Sequence, residues 1–420
     1  MSDTPRIAIL GSGFAGLETA FLLRMRLRDH AHLTVVSERP DFTFRPNTIY
    51  VPFGGDADAL VVDMTKAFLR RDVAFVQGSV TGVDPGAHAV QLASGGTVEY
   101  DKLVIATGAA MRASEIPGLA QHAATIWTPE SMLGVRLRFE RVRDDARAGR
   151  RSRVLFLVPP NNKCAGPLYE IVMMFETWLR REGARDQVEL TWSTFEESYI
   201  QAFGPRLHEV VNAEFADRAI DGHTDEVVTE IVEGEARYAD GTTRAFDHLI
   251  AFPPYVSAVG YESLPSDERG FLETEPETRQ VAGHPDIYAP GDAGDFPVKQ
   301  AFLAFLQADT VAEHIAAGTG AHAFEKPFDP VSMCIMEMLD KATFAQVPLA
   351  LTGDPAHPVA VRPGADGDYK VGTGTTWRLG KKMLGATVPM RFHAGEPFHA
   401  GLGWQMMEVG LRGMSAVLAE

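Results

Sequence analysis

Residues 6–16 read RIAILGSGFAG, a short apolar run that leads directly into three glycines. Such a run is typical of a buried strand, and the glycines that follow it mark a tight turn. Residues 17–28 then carry apolar side chains at helical spacing. The order of strand, glycine turn and helix is the opening unit of a dinucleotide-binding α/β domain.

The three glycines and a later acid each have a physical role in such a unit. Gly11 permits the tight turn, Gly13 lets the backbone approach a pyrophosphate, and Gly16 allows the helix to pack closely on the strand. The start of the helix presents free N–H groups and the positive end of its dipole to the phosphates. A second strand at 33–36 leads to Glu38, whose carboxylate can accept hydrogen bonds from ribose hydroxyls. We therefore predict a bound dinucleotide.

Two later strands end in small-residue turns, one at Thr107-Gly108 and the other at Gly291-Asp292. Taken alone, each turn has an ordinary structural explanation. In this order after the first glycine turn, they resemble the signatures of flavoproteins with two dinucleotide folds. The resemblance implies FAD as the cofactor, with Asp292 on its ribityl chain and the Thr-Gly turn closing the site. The other residues that we assign to this lining are Arg39, Pro46 and Val80.

The order of these motifs predicts the domain organisation. A chain of 420 residues is too long for one ordinary core. We predict an α/β fold with two Rossmann-like dinucleotide-binding domains and a C-terminal segment. The FAD-binding domain is discontinuous, covering 1–115 and 250–330; the second domain covers 116–249, and the C-terminal segment covers 331–420.

Composition excludes several classes of protein. Hydrophobic residues make up 45% and charged residues 23% of the chain, which predicts a globular protein. The net charge of −17 argues against a nucleic-acid partner. We find no apolar run of about 18 residues and no signal-peptide pattern at the start, so membrane contact is expected only from the surface, after cytoplasmic synthesis. No metal site is predicted.

The second domain lacks the glycine turn of the first. Its opening strand, 153–158, is followed at 159–166 by PPNNKCAG. Proline fixes the backbone, and Asn and Lys side chains stand where the backbone would have to approach a pyrophosphate. We therefore expect NAD(P)H to bind poorly in this domain.

That altered turn contains Cys164, one of only two cysteines in the chain, which rules out the disulfide framework of small secreted proteins. At a helix start and beside Lys163, a Cys164 thiolate is expected to be stabilised. A buried, inert cysteine is the alternative. The other cysteine, Cys334, follows the flavin domain, and the two could meet as a redox dithiol.

Several segments resemble the sulfide:quinone oxidoreductases and the related flavocytochrome c sulfide dehydrogenases. They are CAGPLYE at 164–170, the Phe252-Pro-Pro turn, Gly291-Asp292 followed by Lys299, and Cys334 in a Met-rich segment. The resemblance implies that both cysteines form a redox pair beside FAD. Sulfide, or a related small thiol, would attack one sulfur, and the electrons would pass through FAD to a membrane quinone.

The same resemblance suggests roles for further side chains. Glu170 matches the family's active-site glutamate and would manage protons, although an acid in the first turn of a helix is also favoured by the dipole. Lys299 would place a cation near the flavin; the alternative is an exposed lysine. The candidates for a quinone slot, which could equally be core aromatics, are Phe302, Phe305 and Phe344.

The chain also departs from these families. Many sulfide:quinone oxidoreductases carry a cysteine in the stretch that corresponds to 124–129 and a histidine in the one that corresponds to 199–202. This chain has neither, so we expect the release of sulfur to differ. The absence of cysteine from 40–47 predicts non-covalent FAD and modestly favours quinone over a cytochrome as acceptor.

The C-terminal segment carries a candidate membrane anchor. Residues 377–384, with a Lys-Lys pair, and 401–414 are rich in Trp and Met. This pattern predicts either peripheral attachment to a membrane surface or helices packed on the body of the protein. The functional alternatives are a type II NADH:quinone oxidoreductase and an electron-transfer subunit that serves a cytochrome. The sequence leaves a homo-oligomer open.

Overall fold

The computed structural model describes residues 4–320, 324 and 326–419. Its N-terminal sheet has five parallel strands and one antiparallel edge strand among the described residues. In sheet order the strands are Gln280–Val281, His284–Tyr288, Lys102–Ile105, Arg6–Leu10, His32–Ser37 and Ala74–Gln77. The sheet thus combines strands from the start of the chain with strands from beyond residue 280.

A second sheet of five parallel strands forms the middle of the molecule. Its strands, in sheet order, are Ala123–Thr125, His248–Ala251, Ser152–Val158, Val188–Thr194 and Ile220–His223. The strand His248–Ala251 runs across the predicted boundary at 250. Two antiparallel strands, Ala109–Met111 and Tyr255–Ser257, connect the two parallel sheets.

Smaller antiparallel sheets cover the edges of these two layers. They are formed by Val80–Asp84 with Ala89–Leu92 and Thr97–Glu99, by Val228–Val232 with Glu235–Tyr238 and Thr243–Ala245, and by Asp41–Thr43 with Val61–Asp63. The helices within the described ranges are α1 Phe14–Leu27, α2 Thr65–Arg70, α3 Leu119–His122, α4 Pro129–Arg147, α5 Gly166–Arg181, α6 Pro205–Asp217, α7 Ala301–Gly318, α8 Thr375–His393 and α9 Gly401–Leu418.

The C-terminal segment is an antiparallel sheet with two helices. The sheet consists of Val331–Glu337, Ala342–Leu351, Val359–Val361 and Lys370–Gly374. On it, Phe344 stacks against Trp377 of α8, with ring centroids 4.3 Å apart. Arg218 of the middle domain donates to Asp340 at 3.0 Å, which ties this segment to the rest. In the part of the chain that is described, no helix has the length and apolarity needed to cross a membrane.

The predicted fold class is confirmed: two parallel, Rossmann-like sheets are followed by a C-terminal segment. Helices α1 and α7 pack side by side against the first sheet because both carry apolar faces, with Leu17 and Ala20 on one and Val311 and Ile315 on the other all buried. In the middle domain, the apolar strand Ser152–Val158 is covered by α5. The carboxyl ends of both central strands therefore face the space between the sheets.

Candidate active site

A cavity of about 680 Å³ lies at the carboxyl ends of the parallel strands. Strand Arg6–Leu10 delivers Gly11 to it, strand Lys102–Ile105 delivers Thr107, and strand His32–Ser37 delivers Glu38. This edge is where open α/β sheets bind their ligands. The volume is typical of a site for an organic ligand or cofactor.

The three glycines of the first turn have different surroundings. At Gly11, with φ +100°, a Cβ would lie 2.5 Å from the Ala106 carbonyl oxygen, and at Gly16 it would lie 2.1 Å from the Gly11 carbonyl oxygen. A side chain at either position collides with backbone, so the fold itself requires these two glycines. A Cβ at Gly13 would meet no atom of the described chain within 4 Å, although Gly13 lines the cavity. Gly13 therefore leaves room for a ligand.

Most residues that we assigned to the cofactor meet in this cavity. Gly16 and Gly291 do not line it; Gly291, with φ +74°, lies where a Cβ would approach the Ala15 Cβ to 2.9 Å. Both instead allow close packing at the turn. The assigned residues that line the cavity are Gly11, Gly13, Glu38, Arg39, Pro46, Val80, Thr107, Gly108, Asp292 and Lys299.

Charged groups meet at the centre of the cavity. Burial raises the pKa of Asp292, while Lys299 and Arg45 oppose that rise. The Arg45 Nη1 atom is buried without a hydrogen-bond partner among the described residues, and its guanidinium lies 4.7 Å from the Trp127 ring. Because a buried unpaired donor is costly, this group suits an anionic or carbonyl-bearing ligand. Sequence analysis missed Arg45, since no motif distinguishes it from a surface arginine.

Lys299 is buried, with 3% of its surface exposed, and is not the exposed lysine of the alternative interpretation. Its ammonium donates to the Gly294 carbonyl and lies 3.8 Å from the centroid of the Phe271 ring. Burial lowers the pKa of Lys299 to about 7, against the opposing charge of Asp292. A negatively charged ligand in the cavity would raise the pKa of Lys299 and keep its side chain protonated.

Cys164 and Cys334 line the same cavity as free thiols. Cys164 lies in the turn after the strand Ser152–Val158, and its N–H donates to Asn162 Oδ1 at 3.0 Å. Cys334 lies within the strand Val331–Glu337. The two cysteines are thus delivered from different parts of the fold to one space.

The pKa of each thiol is raised above its ordinary value. Burial and then the Asp292 charge raise the pKa of Cys164, and charge on Cys334 adds to the rise. The N–H of Gly166, at the helix start, lowers that pKa but does not outweigh burial, so the predicted stabilisation of a Cys164 thiolate is wrong for this state. Burial and Glu170 raise the pKa of Cys334 to about 12, with Lys381 opposing.

Glu170 and Lys381 form a buried ion pair beside the cysteines. Glu170, on α5, also accepts from the Glu337 N–H at 2.8 Å, and Lys381, on α8, donates to the Ile335 carbonyl at 2.8 Å. Burial raises the pKa of Glu170, and Lys381 is the first influence against that rise. In the Lys-Lys pair of the predicted anchor, Lys381 is therefore buried and does not offer a surface charge. Its neighbour Lys382 is exposed.

In the second domain, side chains of the turn at 159–166 fill the space that glycines would leave open. Asn162 donates to the carbonyl oxygens of Phe252 at 3.0 Å and Pro253 at 3.2 Å. Beyond the next strand, Glu196 accepts from the Tyr169 hydroxyl at 3.0 Å and from Thr194 Oγ1 at 2.9 Å. Burial raises the pKa of Glu196 to about 7. The side chains of Asn162 and Glu196 are thus engaged with the protein's own backbone and side chains.

One part of the cavity, its aromatic end, is lined by aromatic side chains. Phe302 and Phe305 line it, as predicted candidates for a quinone slot, together with Phe398 and Trp404, which sequence analysis missed. Phe344 does not line the cavity and is 1% exposed. Its stacking on Trp377 places it in the core of the C-terminal sheet.

Several known proteins resemble this chain in sequence. Residues 5–146 match the family model of the pyridine nucleotide-disulphide oxidoreductases. The sulfide-quinone reductase of Aquifex aeolicus is 28% identical over 56% of this chain and 54% of its own length, so the match spans about half of that relative. The mitochondrial sulfide:quinone oxidoreductase of Dictyostelium discoideum is 23% identical over 71% of this chain and 68% of its own length.

Solved structures extend the likeness in fold. The sulfide:quinone oxidoreductase structure from Aquifex aeolicus superposes with a TM-score of 0.85 at 20% identity, covering 97% of this chain and 96% of that one. NDH2 from Plasmodium falciparum superposes with a TM-score of 0.68 at 14% identity, covering 93% of this chain and 97% of that one. The predicted resemblance is confirmed: this chain is similar in sequence to sulfide:quinone oxidoreductases and shares the fold of a solved one.

Proposed function

We propose, from this relationship and from the cavity, that the protein oxidises sulfide through Cys164 and Cys334 with FAD and passes the electrons to a membrane quinone. One observation carries the proposal: both cysteines line the cavity into which the glycine turn at Gly13 opens. A redox-active pair must lie beside the cofactor that it reduces, and the presence of both thiols in the cavity proposed for that cofactor supports the proposal.

The cavity fits FAD. Gly13 leaves space for a pyrophosphate, Glu38 can accept from ribose hydroxyls, and the unpaired Arg45 with Lys299 offers positive charge deeper in the cavity. We infer non-covalent binding, because the loop at 40–47 carries no cysteine for a tether. When bound, FAD supplies a two-electron acceptor to the cysteine pair.

The sulfur chemistry begins from the oxidised pair, a disulfide. HS⁻ attacks one sulfur, a new S–S bond forms, and the disulfide bond breaks to give a persulfide on one cysteine and a thiolate on the other. The thiolate and the persulfide then join as a sulfur-bridged pair, which releases two electrons and one proton. The net change is HS⁻ plus disulfide to trisulfide, H⁺ and two electrons.

Glu170 and Lys381 would hold the proton that this step releases. The Glu170 carboxylate is close enough to Cys334 to raise the pKa of that thiol, and Lys381 acts in the opposite direction. Burial raises the pKa of the Glu170 carboxyl, which favours uptake of a proton by this group. The pair thus connects thiol chemistry to a proton acceptor inside the cavity.

The aromatic end of the cavity is the proposed quinone site. Phe302, Phe305, Phe398 and Trp404 offer flat apolar surfaces to a quinone ring. The two C-terminal helices also expose apolar side chains on the outer surface, which supports peripheral contact with a membrane that holds the quinone. Those side chains are Leu379, Met383, Met390, Leu402, Met406, Val409 and Val417.

An NADH:quinone oxidoreductase is the rival function, because a type II NADH:quinone oxidoreductase from Mycobacterium tuberculosis is 24% identical over 77% of this chain. The filled turn at Asn162 argues against it. A flavoprotein subunit that serves a cytochrome would share the sulfide half-reaction and differ in the acceptor.

The test is an anaerobic mixing experiment. The FAD-loaded protein is mixed with sulfide or with NADH while flavin absorbance is followed, and a short-chain quinone is then added. We expect bleaching by sulfide, none of comparable rate by NADH, and return of absorbance with quinone. Bleaching by NADH alone would overturn the proposal, and sulfide-reduced flavin that quinone fails to reoxidise would favour a cytochrome acceptor.

The membrane proposal has its own test in cosedimentation with phosphatidylcholine vesicles. The double variant Leu402→Ser and Met406→Ser removes two apolar side chains that are 77% and 74% exposed. We expect vesicle binding to weaken by roughly a hundredfold, since burial of each side chain of this size contributes about 1.5 kcal/mol or more. Leu133→Ser, an exposed change on α4, is the control and should bind as the wild type does.

A further inference from the structure

Three titratable residues from three elements meet behind the aromatic end of the cavity. They are Glu18 on α1, Asp309 on α7 and His399 in the connection between α8 and α9. His399 Nδ1 lies 2.8 Å from Asp309 Oδ2. The two Glu18 oxygens accept from the backbone N–H groups of Phe398 at 2.6 Å and His399 at 2.8 Å. Glu18 thus holds the backbone that carries the histidine.

The His399 ring is enclosed by the side chains that form the proposed quinone site. Its centroid lies 5.3 Å from that of Phe302, 5.2 Å from Phe305, 5.2 Å from Phe398 and 4.3 Å from Trp404. All four of these aromatic side chains line the cavity. The imidazole is therefore one ring away from the space that a quinone would occupy.

Two atoms of the cluster lack a partner. His399 Nε2 and Asp309 Oδ1 are buried without a hydrogen bond to any described residue. The His399 side chain is 3% exposed, whereas that of Asp309 is 25% exposed. A buried ring nitrogen without a hydrogen bond is costly, and its place among the aromatic side chains of the cavity suggests a functional role. The Asp309 side chain is partly exposed, and an imidazole can release a proton from one ring nitrogen while the other keeps its hydrogen bond.

The surrounding charges favour a cluster that holds protons. Burial opposes the charged form of His399, but Asp309, then Glu18 and Glu408 of α9, raise the pKa of the imidazole overall. Burial and then the Asp309 charge raise the pKa of Glu18. On the outer side, Arg26 faces Asp309 and pairs with Glu313. Because backbone N–H groups use both Glu18 oxygens, this carboxylate is poorly placed to bind a cation.

We propose that His399, positioned by Asp309 and Glu18, relays a solvent proton to the quinone as it is reduced. This inference rests on the proposed quinone-reducing function. A quinone that gains two electrons from reduced FAD takes up two protons to become a quinol. One proton leaves Nε2 of the protonated His399, whose Nδ1–H stays hydrogen-bonded to Asp309. A solvent proton then restores the imidazolium at Nε2 before the next turnover. The other is the proton released by sulfide oxidation, so that HS⁻, quinone and one H⁺ give sulfur and quinol.

The test compares two acceptors in stopped-flow reoxidation of dithionite-reduced enzyme. A short-chain quinone takes electrons and protons, whereas ferricyanide takes electrons alone. For His399→Asn we expect reoxidation by quinone to slow by roughly a hundredfold, the usual contribution of a positioned proton donor. Reoxidation by ferricyanide should remain within about twofold of the wild type. Asp309→Asn, which keeps the shape of the side chain, is expected to slow the quinone reaction less and to leave ferricyanide unaffected.

Two further readouts separate a relay from a purely structural role. The quinone reaction of the wild type should slow as pH rises through the pKa of the cluster, and that pH dependence should be absent in His399→Asn. In FAD-free protein, the raised pKa of His399 stabilises the fold below its unfolded pKa near 6.5. This stabilisation is lost as pH rises through the folded value, and His399→Asn should remove that part of the thermal-stability profile.

His393→Asn, an exposed histidine at the end of α8, is the matched control and should behave as wild type in every assay. Equal slowing with quinone and ferricyanide in both His399→Asn and Asp309→Asn would overturn the relay, as would unchanged quinone kinetics. Dithionite reduction keeps this outcome distinct from failure of sulfide oxidation. A wild-type enzyme that quinone does not reoxidise would also overturn it.

Discussion

The two Rossmann-like domains begin alike and treat their first turns in opposite ways. In the first domain, the turn from Gly11 to Gly16 leaves open space at Gly13. In the second, the turn at 159–166 is filled by Asn162, whose amide bonds two carbonyl groups, and it presents Cys164 to the cavity. The same strand, turn and helix thus form a ligand cradle in one domain and a support for a thiol in the other.

The two domains also differ in the accessibility of the acid that follows the next strand after the turn, Glu38 in the first domain and Glu196 in the second. Glu38 is exposed at the cavity and accepts from Ser79 Oγ at 2.9 Å, so it remains accessible to a ribose. Glu196 is enclosed by Tyr169 and Thr194. The turn and the acid are thus both accessible in the first domain and both engaged by protein groups in the second.

The largest expected effect concerns the thiol in the second turn and its partner. Cys164→Ser and Cys334→Ser should each slow flavin reduction by sulfide on the order of a thousandfold or more, because neither variant can form the disulfide that HS⁻ attacks. FAD content and reduction by dithionite should stay unchanged. A double variant that sulfide still reduces at the wild-type rate would make both cysteines structural.

A change in the first turn should affect the cofactor and not the fold. Gly13→Val adds a side chain that meets no described protein atom but enters the cavity. We expect FAD affinity to fall by roughly a hundredfold, since overpacking of this kind costs about 1–3 kcal/mol. Thermal unfolding of the FAD-free protein should not change.

Gly16→Ala provides the contrast, because its Cβ would collide with the Gly11 carbonyl. It should lower the stability of the FAD-free protein as well as its affinity for FAD. Gly134→Ala, in the open on α4, should alter neither FAD binding nor the fold. If Gly13→Val destabilised the FAD-free protein as much as Gly16→Ala does, the claim that Gly13 leaves open space for a ligand would be wrong.

The filled second turn can be emptied by Asn162→Ala. The change leaves the carbonyl groups of Phe252 and Pro253 and the N–H of Cys164 without these hydrogen bonds. We expect a loss of about 2 kcal/mol in the free energy of unfolding, measured by denaturant titration. Reduction by NADH should remain slow; a gain of NADH activity would mean that Asn162 alone excludes the nucleotide.

The smallest effect is a pH dependence from Glu196. Its pKa in the folded protein is raised to about 7, so the native state binds a proton that the unfolded chain releases at lower pH. Stability should therefore fall as pH rises from about 4.5 to 7. Glu196→Gln should match wild type at about pH 4 and exceed it near pH 8 by on the order of 2 kcal/mol, because the carboxylate is partly exposed and solvent screens it. Parallel stability curves for the two proteins would contradict this assignment.

Local sequence was sufficient for the first turn, the strand-end motifs and the two cysteines, because each role depends on residue type within a short segment. The burial of Lys381 could not be predicted, since its partner Glu170 lies on a helix far away in sequence. The same holds for Asn162, whose carbonyl partners lie between the strands His248–Ala251 and Tyr255–Ser257. Arg45 and His399 carry no local signature, because their environments exist only once separate elements pack together.

Mass analysis of the cysteine peptides after one anaerobic turnover with sulfide tests the central claim most directly. We predict that Cys164 and Cys334 together carry one additional sulfur atom, and that its appearance matches the extent of flavin reduction. Flavin that is fully reduced by sulfide while both cysteines remain unmodified would contradict the account.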